Sequence, residues 1–121
     1  MPSRMLLIQD PLLQLRTEAT FRKVWQDAGL KHVDFISYAP FLPTIQVTAE
    51  GRILLGGSPF VWSEERFLSL LMGEFARLWD DEHGYGPQGK GFIQQVPIPQ
   101  SVRGAYRFLE KWLTPLGEYQ R

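Results

Sequence analysis

The sequence predicts an α+β domain, in which about three helices pack on a small, mostly antiparallel sheet of about four to five strands. Three segments carry apolar residues at helical spacing, and shorter segments alternate apolar and polar residues as strands do. Hydrophobic residues make up 44% of the chain and charged residues 21%, close to the averages for globular proteins. For a chain of 121 residues we expect one hydrophobic core, and therefore a single domain over 1–121.

The N-terminal part predicts a strand followed by a helix. The strand at 5–9 begins with four consecutive apolar residues, a pattern typical of a strand buried on both faces. Asp10 and Pro11 suit a helix start, because Asp accepts hydrogen bonds from free amides and Pro tolerates the first helical position. We expect this helix to reach Ala28 and Gly29 to close it.

A second strand and a hairpin are predicted next. The strand at 31–38 leads into a stiff connection at 39–43, which contains two prolines. Apolar and polar residues then alternate over 44–49, and an apolar return arm follows at 53–55. Gly51 lies between the two arms and can take the positive φ of a tight turn.

The second half predicts a long helix and a glycine-rich loop. Ser63 can cap the helix, which we expect to run to His83 before Gly84 closes it. A glycine-rich loop at 84–91 and an extended segment at 92–99 follow. The apolar stripe of this helix consists of Phe67, Leu68, Leu71, Met72, Phe75, Leu78 and Trp79.

The last helix is expected to begin with Ser101 as its cap. Its predicted inner face consists of Val102, Ala105, Tyr106, Phe108, Leu109, Trp112 and Leu113. Its predicted outer face consists of Arg103, Arg107, Glu110 and Lys111.

Charge and cysteine content restrict the function classes. Thirteen basic residues balance thirteen acidic ones, which argues against a polybasic binder of nucleic acid or of membrane surfaces. The absence of cysteine excludes disulfides, thiolate metal sites and cysteine nucleophiles. The N-terminal apolar run is too short for a signal peptide or a membrane span, so we expect a cytoplasmic protein that does not insert into membranes.

An acidic cluster with a histidine is the first candidate for chemistry: Asp80, Asp81, Glu82 and His83. Carboxylates at a helix C-terminus oppose the helix dipole, and a bound cation would compensate for them. If the helix reaches this far, Asp80 and His83 share a face and could supply two ligands to a divalent cation. The spacing matches no established metal signature, and we favour an ordinary solvated helix end without a cofactor.

The loop and the last helix are the next candidates. Gly84, Gly86 and Gly89 fit the phosphate-binding pattern G-x-G-x-x-G, but a dinucleotide site requires a strand before it and a helix after it. We therefore interpret the segment as a surface loop that a partner could order. Arg103 and Arg107, with Lys90, could contact phosphates or an acidic protein. We favour a solvated helix face and do not expect nucleic-acid binding.

Aromatic residues outside the helix stripes are the remaining feature: Phe41, Phe60, Trp62, Tyr85 and Phe92. They either cap the end of the sheet as a satellite core or form a contact patch for a partner. The two histidines are far apart in sequence, and no serine lies in a nucleophile pattern.

The sequence thus favours a non-catalytic module that binds another protein or a second copy of itself. We expect the binding residues to be the five aromatics together with Lys90, Arg103 and Arg107. Two alternatives remain: a divalent-cation-dependent enzyme or ligand-binding domain that uses residues 80–83, and nucleic-acid contact through the last helix.

Overall fold

The computed structural model describes residues 2–30, 33–56 and 63–113. The element order is β1 (Arg4–Ile8), α1 (Gln14–Asp27), β2 (Asp34–Tyr38), β3 (Thr44–Val47), β4 (Ile53–Gly56), α2 (Glu64–Leu78) and α3 (Gln100–Leu113). The α+β class with three helices is confirmed for this part of the chain. The expectation of one mostly antiparallel sheet is wrong, because the strands form two separate two-stranded sheets.

The first sheet is parallel because a helix connects its two strands. β1 pairs with β2 in the register Leu6 to Ile36, and α1 carries the chain back to the start of the second strand. Leu7 is buried on the side of the sheet that faces α1. Phe35 stands on the same side, where its ring centroid lies 5.9 Å from that of Trp25 on α1. One face of the parallel sheet is therefore covered by α1.

Helix α1 begins later than the sequence suggests. The Asp10 carboxylate accepts a hydrogen bond from the Leu12 amide at 2.9 Å, so Asp10 organises a turn and the helix starts at Gln14. The predicted C-terminus is confirmed, because Ala28 is the C-cap and Gly29 has a φ of 70°. Glycine adopts this left-handed conformation without the steric cost that a side chain adds.

The second sheet is the predicted hairpin. β3 pairs antiparallel with β4, and Gly51 takes a φ of 79° in the turn. The Thr48 hydroxyl accepts the Arg52 amide at 3.0 Å, which ties the two ends of the turn together. β4 contacts α2, so the hairpin is attached to the helical half of the molecule.

Helix α2 starts as predicted and ends early. The Ser63 side chain accepts the Arg66 amide at 3.2 Å, which confirms the N-cap. The expectation that this helix continues to His83 is wrong, because it ends at Leu78 and Trp79 is extended with a ψ of 142°. No helix within the described ranges is long and apolar enough to cross a membrane.

In the part of the chain that the structure describes, buried side chains form two core clusters. The first lies between α2 and α3 and consists of Leu68, Met72, Trp79, Tyr106 and Leu113. The second joins α1, the end of α2 and the segment before α3, and consists of Ala19, Leu78 and Ile93. The backbone of this segment also donates to α1, from the Gln94 amide to the Ala19 carbonyl at 3.3 Å.

Helix α3 buries less of its apolar surface than predicted. It starts at Gln100, so Ser101 lies within the helix and is not its cap. Tyr106 and Leu113 are buried as expected, but Phe108 is 70% exposed and Trp112 is 42% exposed. The apolar arc of the helix is therefore wider than its buried face.

A buried carboxylate connects the two halves of the fold. Glu74 on α2 is 5% exposed. Its Oε2 accepts from Arg16 Nε at 2.6 Å, and its Oε1 accepts from Arg16 Nη2 at 3.1 Å. Arg77 Nη1 donates to the same carboxylate at 3.0 Å. Because Arg16 lies on α1, this bridge joins the parallel sheet unit to the helical core.

The pKa of Arg16 reflects this pairing. The hydrogen bond from Arg16 to Glu74 raises the pKa above its ordinary range, and the charge of Glu74 and the nearby Tyr85 add to this effect. Burial of the guanidinium acts in the opposite direction. Arg16 therefore keeps its positive charge throughout the physiological pH range.

Removing the charge of Glu74 should lower stability, because two guanidinium groups would lose their common partner. We expect Glu74→Gln to reduce the free energy of unfolding by about 1–3 kcal/mol, less than for a fully buried pair because both arginines still reach solvent. Urea unfolding measures this loss. The control is Asp27→Asn in the exposed Lys23–Asp27 pair, which should change stability by less than about 0.5 kcal/mol. Equal effects of the two variants would contradict the role of the bridge.

Candidate functional site

The structure brings two groups of predicted site residues together. Asp80 and Asp81, which follow α2, face Arg103 and Arg107 of α3 across a cleft of about 210 Å³. The remaining lining residues are Trp79, Tyr106 and Glu110. The sequence analysis assigned the acidic and the basic residues to separate sites, whereas the fold places them in one charged cleft.

Two packed aromatic rings line the cleft. Tyr106 meets Trp79 in an edge-to-face contact, with ring centroids 5.1 Å apart. The Arg103 guanidinium lies over the Trp79 ring, 4.6 Å from its centroid, and Arg103 Nε donates to the Ile98 carbonyl at 3.4 Å. Cation–π stacking on a buried ring holds this arginine in place, so Arg103 contributes to the packing of α3 as well as to the cleft.

The carboxylates on the acidic side of the cleft accept hydrogen bonds from backbone amides of the loop that follows them. One Asp80 oxygen accepts the Gln88 amide at 2.7 Å. One Asp81 oxygen accepts the amides of His83 and Gly84 at 2.9 and 2.8 Å. These bonds fold the chain back after Leu78, and they explain why α2 ends there, since an Asp side chain can replace the next helical turn.

The metal-site hypothesis loses its geometric basis. Asp80 and His83 lie in the loop and not on one face of a helix. His83 Nε2 lies 3.1 Å from a Glu82 oxygen, and both side chains are largely exposed. Among the residues that the structure describes, no three His, Cys, Asp or Glu side chains are grouped so that they could hold a metal ion. Cation binding by residues 80–83 stays a prediction, and the described residues provide no group of three ligands for it.

The glycine-rich loop is tightly folded. The Tyr85 amide donates to the Arg77 carbonyl at 2.8 Å, and the Lys90 amide donates to the Gly84 carbonyl at 3.0 Å. Gly84 and Gly86 are buried. A Cβ at Gly84 would collide with the Trp79 carbonyl, and one at Gly86 would lie 2.6 Å from an Asp80 oxygen. Close packing of the chain against itself therefore accounts for these two glycines, without a phosphate.

The aromatic candidates do not gather into one patch. Tyr85 packs edge-to-face on Phe92, with centroids 5.3 Å apart, and also contacts the second core cluster. Phe92 is 56% exposed, whereas Phe41 is half-buried. Phe60 and Trp62, the other two predicted contact residues, lie outside the described residues. Lys90 is exposed and does not line the cleft.

The sequence analysis missed a different surface, the outer face of the β1–β2 sheet. Side chains alternate along a strand, so residues at every second position share a face. Phe35 and Ser37 point to α1, where the Ser37 hydroxyl donates to a Glu18 oxygen at 2.9 Å. The opposite face carries four exposed apolar side chains, which we call the open sheet face: Leu6, Ile8, Ile36 and Tyr38.

A signal for this face was present in the sequence. The apolar run at 5–8 is typical of a strand with both faces buried, but in the structure only Leu7 is buried. Leu6 is 58% exposed and Ile8 is 61% exposed. The run predicted apolar side chains on both faces of β1, and the structure shows that one of these faces is exposed.

No protein-family model matches the chain. Among the described residues, two surfaces are candidates for a binding site. In the charged cleft, the carboxylates of Asp80 and Asp81 are bonded to the chain's own amides and Arg103 is stacked on Trp79. On the open sheet face, the side chains of Leu6, Ile8, Ile36 and Tyr38 are all exposed. The open sheet face is therefore the better candidate for a binding site.

Substitution of the loop glycines tests whether close packing explains them. We expect Gly86→Ala to lower the free energy of unfolding by about 1–3 kcal/mol, because the new methyl group would push the Asp80 side chain from the Gln88 amide. The matched control is Gly104→Ala on α3, where a Cβ would meet nothing within 4 Å. That change should stabilise the protein by about 0.5–1 kcal/mol, since Ala is the better helix former. Thermal unfolding of both variants measures the difference, and a neutral Gly86→Ala would contradict this account.

Proposed function

We propose that this protein is a non-catalytic protein-binding module whose partner covers the open sheet face. The observation that carries the proposal is the row of four exposed apolar side chains on a parallel sheet, Leu6, Ile8, Ile36 and Tyr38. Parallel sheets in known folds are covered on both faces, because their strands are apolar on both sides. Here α1 covers one face, and a binding partner is the natural cover for the other.

The energetic argument is the hydrophobic effect. Burial of apolar surface is favourable by about 25 cal/mol per Å², so a partner that covers these side chains gains free energy from each of them. Tyr38 offers a large ring with a polar hydroxyl, a combination that is enriched at protein interfaces. Contiguous exposed apolar patches of this kind typically mark interaction sites.

Other exposed apolar residues extend the potential contact area. Phe108 and Trp112 form an exposed stripe on α3, next to the basic residues Arg107 and Lys111 of the same helix. Phe92 is exposed beside the glycine-rich loop. Phe92 was predicted as a contact residue from the sequence, and we propose Phe92, Phe108 and Trp112 as secondary contacts. The zero net charge of the chain fits apolar recognition better than binding to nucleic acid.

Replacing one apolar residue of the open sheet face by a charge should abolish partner binding. We expect Leu6→Glu to reduce recovery of the partner by at least about tenfold in affinity purification from the native cell, because it would bury an unpaired carboxylate in the interface. The matched control is Leu15→Glu on α1, since Leu15 is also an exposed leucine, at 48%. The control should recover the partner like the wild type.

Circular dichroism and thermal unfolding must show that both variants are folded. The captured partner is then purified and its affinity for each variant is measured directly. Equal affinity for folded Leu6→Glu and for the wild type would refute the open sheet face as the binding surface.

A further inference from the structure

We propose that the partner of the open sheet face is a second copy of this chain, bound face to face about a two-fold axis parallel to the strands. This inference rests on the proposed function, because it names the occupant of the same surface. Its basis is the order of charged and apolar side chains on that face, which makes the face complementary to itself.

The charged residues stand at one end of the face. Arg4 begins β1 and Asp34 begins β2, and the register places them opposite each other. Both residues are exposed, and neither has an ion-pair partner among the described residues. The apolar pairs follow along the strands in the order Leu6 with Ile36 and then Ile8 with Tyr38.

A two-fold axis parallel to the strands brings complementary residues of the two protomers together. It lays β1 of one protomer over β2 of its partner and preserves the strand direction. Arg4 of each protomer then lies over Asp34 of the other, so a single contact produces two ion pairs. The apolar residues of β1 meet those of β2 in the same way. Self-complementarity of this kind is what a two-fold symmetric interface requires.

Other arrangements do not satisfy the charges. A two-fold axis perpendicular to the strands would lay the charged end over the apolar end, so that Arg4 and Asp34 would lose hydration without gaining a partner from the other protomer. The net charge of the chain is zero, so two copies do not repel each other as highly charged proteins do. Aligned packing of two sheets, at a spacing of about 10 Å, accommodates apolar side chains of this size.

The size of the face sets the strength that we expect. A stable interface buries about 800 Å² on each partner, and six side chains on two short strands supply less than that. Association should therefore be concentration-dependent, with a dissociation constant on the order of 10–100 µM.

Charge reversal tests the symmetry. We expect sedimentation equilibrium to show a monomer–dimer equilibrium for the wild type. Arg4→Asp and Asp34→Arg, each alone, should weaken dimerisation at least about tenfold, because each homodimer would then contain two like-charge contacts. An equimolar mixture of the two variants should dimerise again, since an Arg4→Asp protomer and an Asp34→Arg protomer together form two opposite-charge pairs. Arg52→Asp, a reversal at an exposed position of the hairpin turn, should leave dimerisation unchanged.

Neutral substitutions protect the test against misfolding. If a reversal variant is not folded by circular dichroism, Arg4→Gln and Asp34→Asn replace the pair, and each should weaken dimerisation about two- to fivefold.

A wild type that stays monomeric up to roughly 1 mM would overturn the inference, as would a mixture of folded reversal variants that fails to dimerise. If the wild type stays monomeric, a different protein is captured and Leu6→Glu abolishes its binding, the second copy is ruled out while the proposed function stands. If dimerisation is absent and Leu6→Glu has no effect on any partner, both fail.

Discussion

A single helix can cover only one face of a parallel pair of strands. In this protein, that constraint leaves the open sheet face exposed. Parallel strands need a crossover connection, here α1, and the crossover packs on the side where Leu7 and Phe35 point. The same alternation that buries these residues exposes their neighbours Leu6 and Ile36. Because the exposed neighbours are as apolar as the buried ones, the outer face has the composition of an interior without a cover.

Contacts between α1 and α2 attach the β1–β2 sheet and its helix to the rest of the fold. Glu74 joins α1 to α2 through Arg16, and the second core cluster packs Ala19 of α1 against the end of α2. The charged cleft and the glycine-rich loop stabilise the opposite part of the molecule, where Asp80 and Asp81 bind backbone amides. The carboxylates of Asp80 and Asp81 are thus used in the folding of the chain itself.

Local signals in the sequence predicted local structure well. Gly51 marked the hairpin turn, Ser63 marked the start of α2, and Gly29 marked the end of α1. Strand pairing could not be predicted in this way, because it depends on contacts between residues far apart in sequence. The end of α2 was misjudged for a local reason, since Asp81 captures the amides that a longer helix would use.

The candidate site was predicted only in its parts. The acidic residues after α2 and the arginines of α3 were each identified from the sequence. Only the tertiary structure brings them together in one cleft. The predicted inner face of α3 was too wide, since Phe108 and Trp112 are exposed. Periodicity shows which residues are apolar, and it does not show which of them are buried. The open sheet face was missed for the same reason.

Hydroxyl-radical footprinting of the chain in its isolated native complex tests the central claim most directly. The claim predicts that Leu6, Ile8, Ile36 and Tyr38 lose reactivity together in the complex relative to the dissociated chain, while exposed Val24 on α1 keeps its reactivity. Equal reactivity of the four side chains in both states, with protection elsewhere, would contradict it.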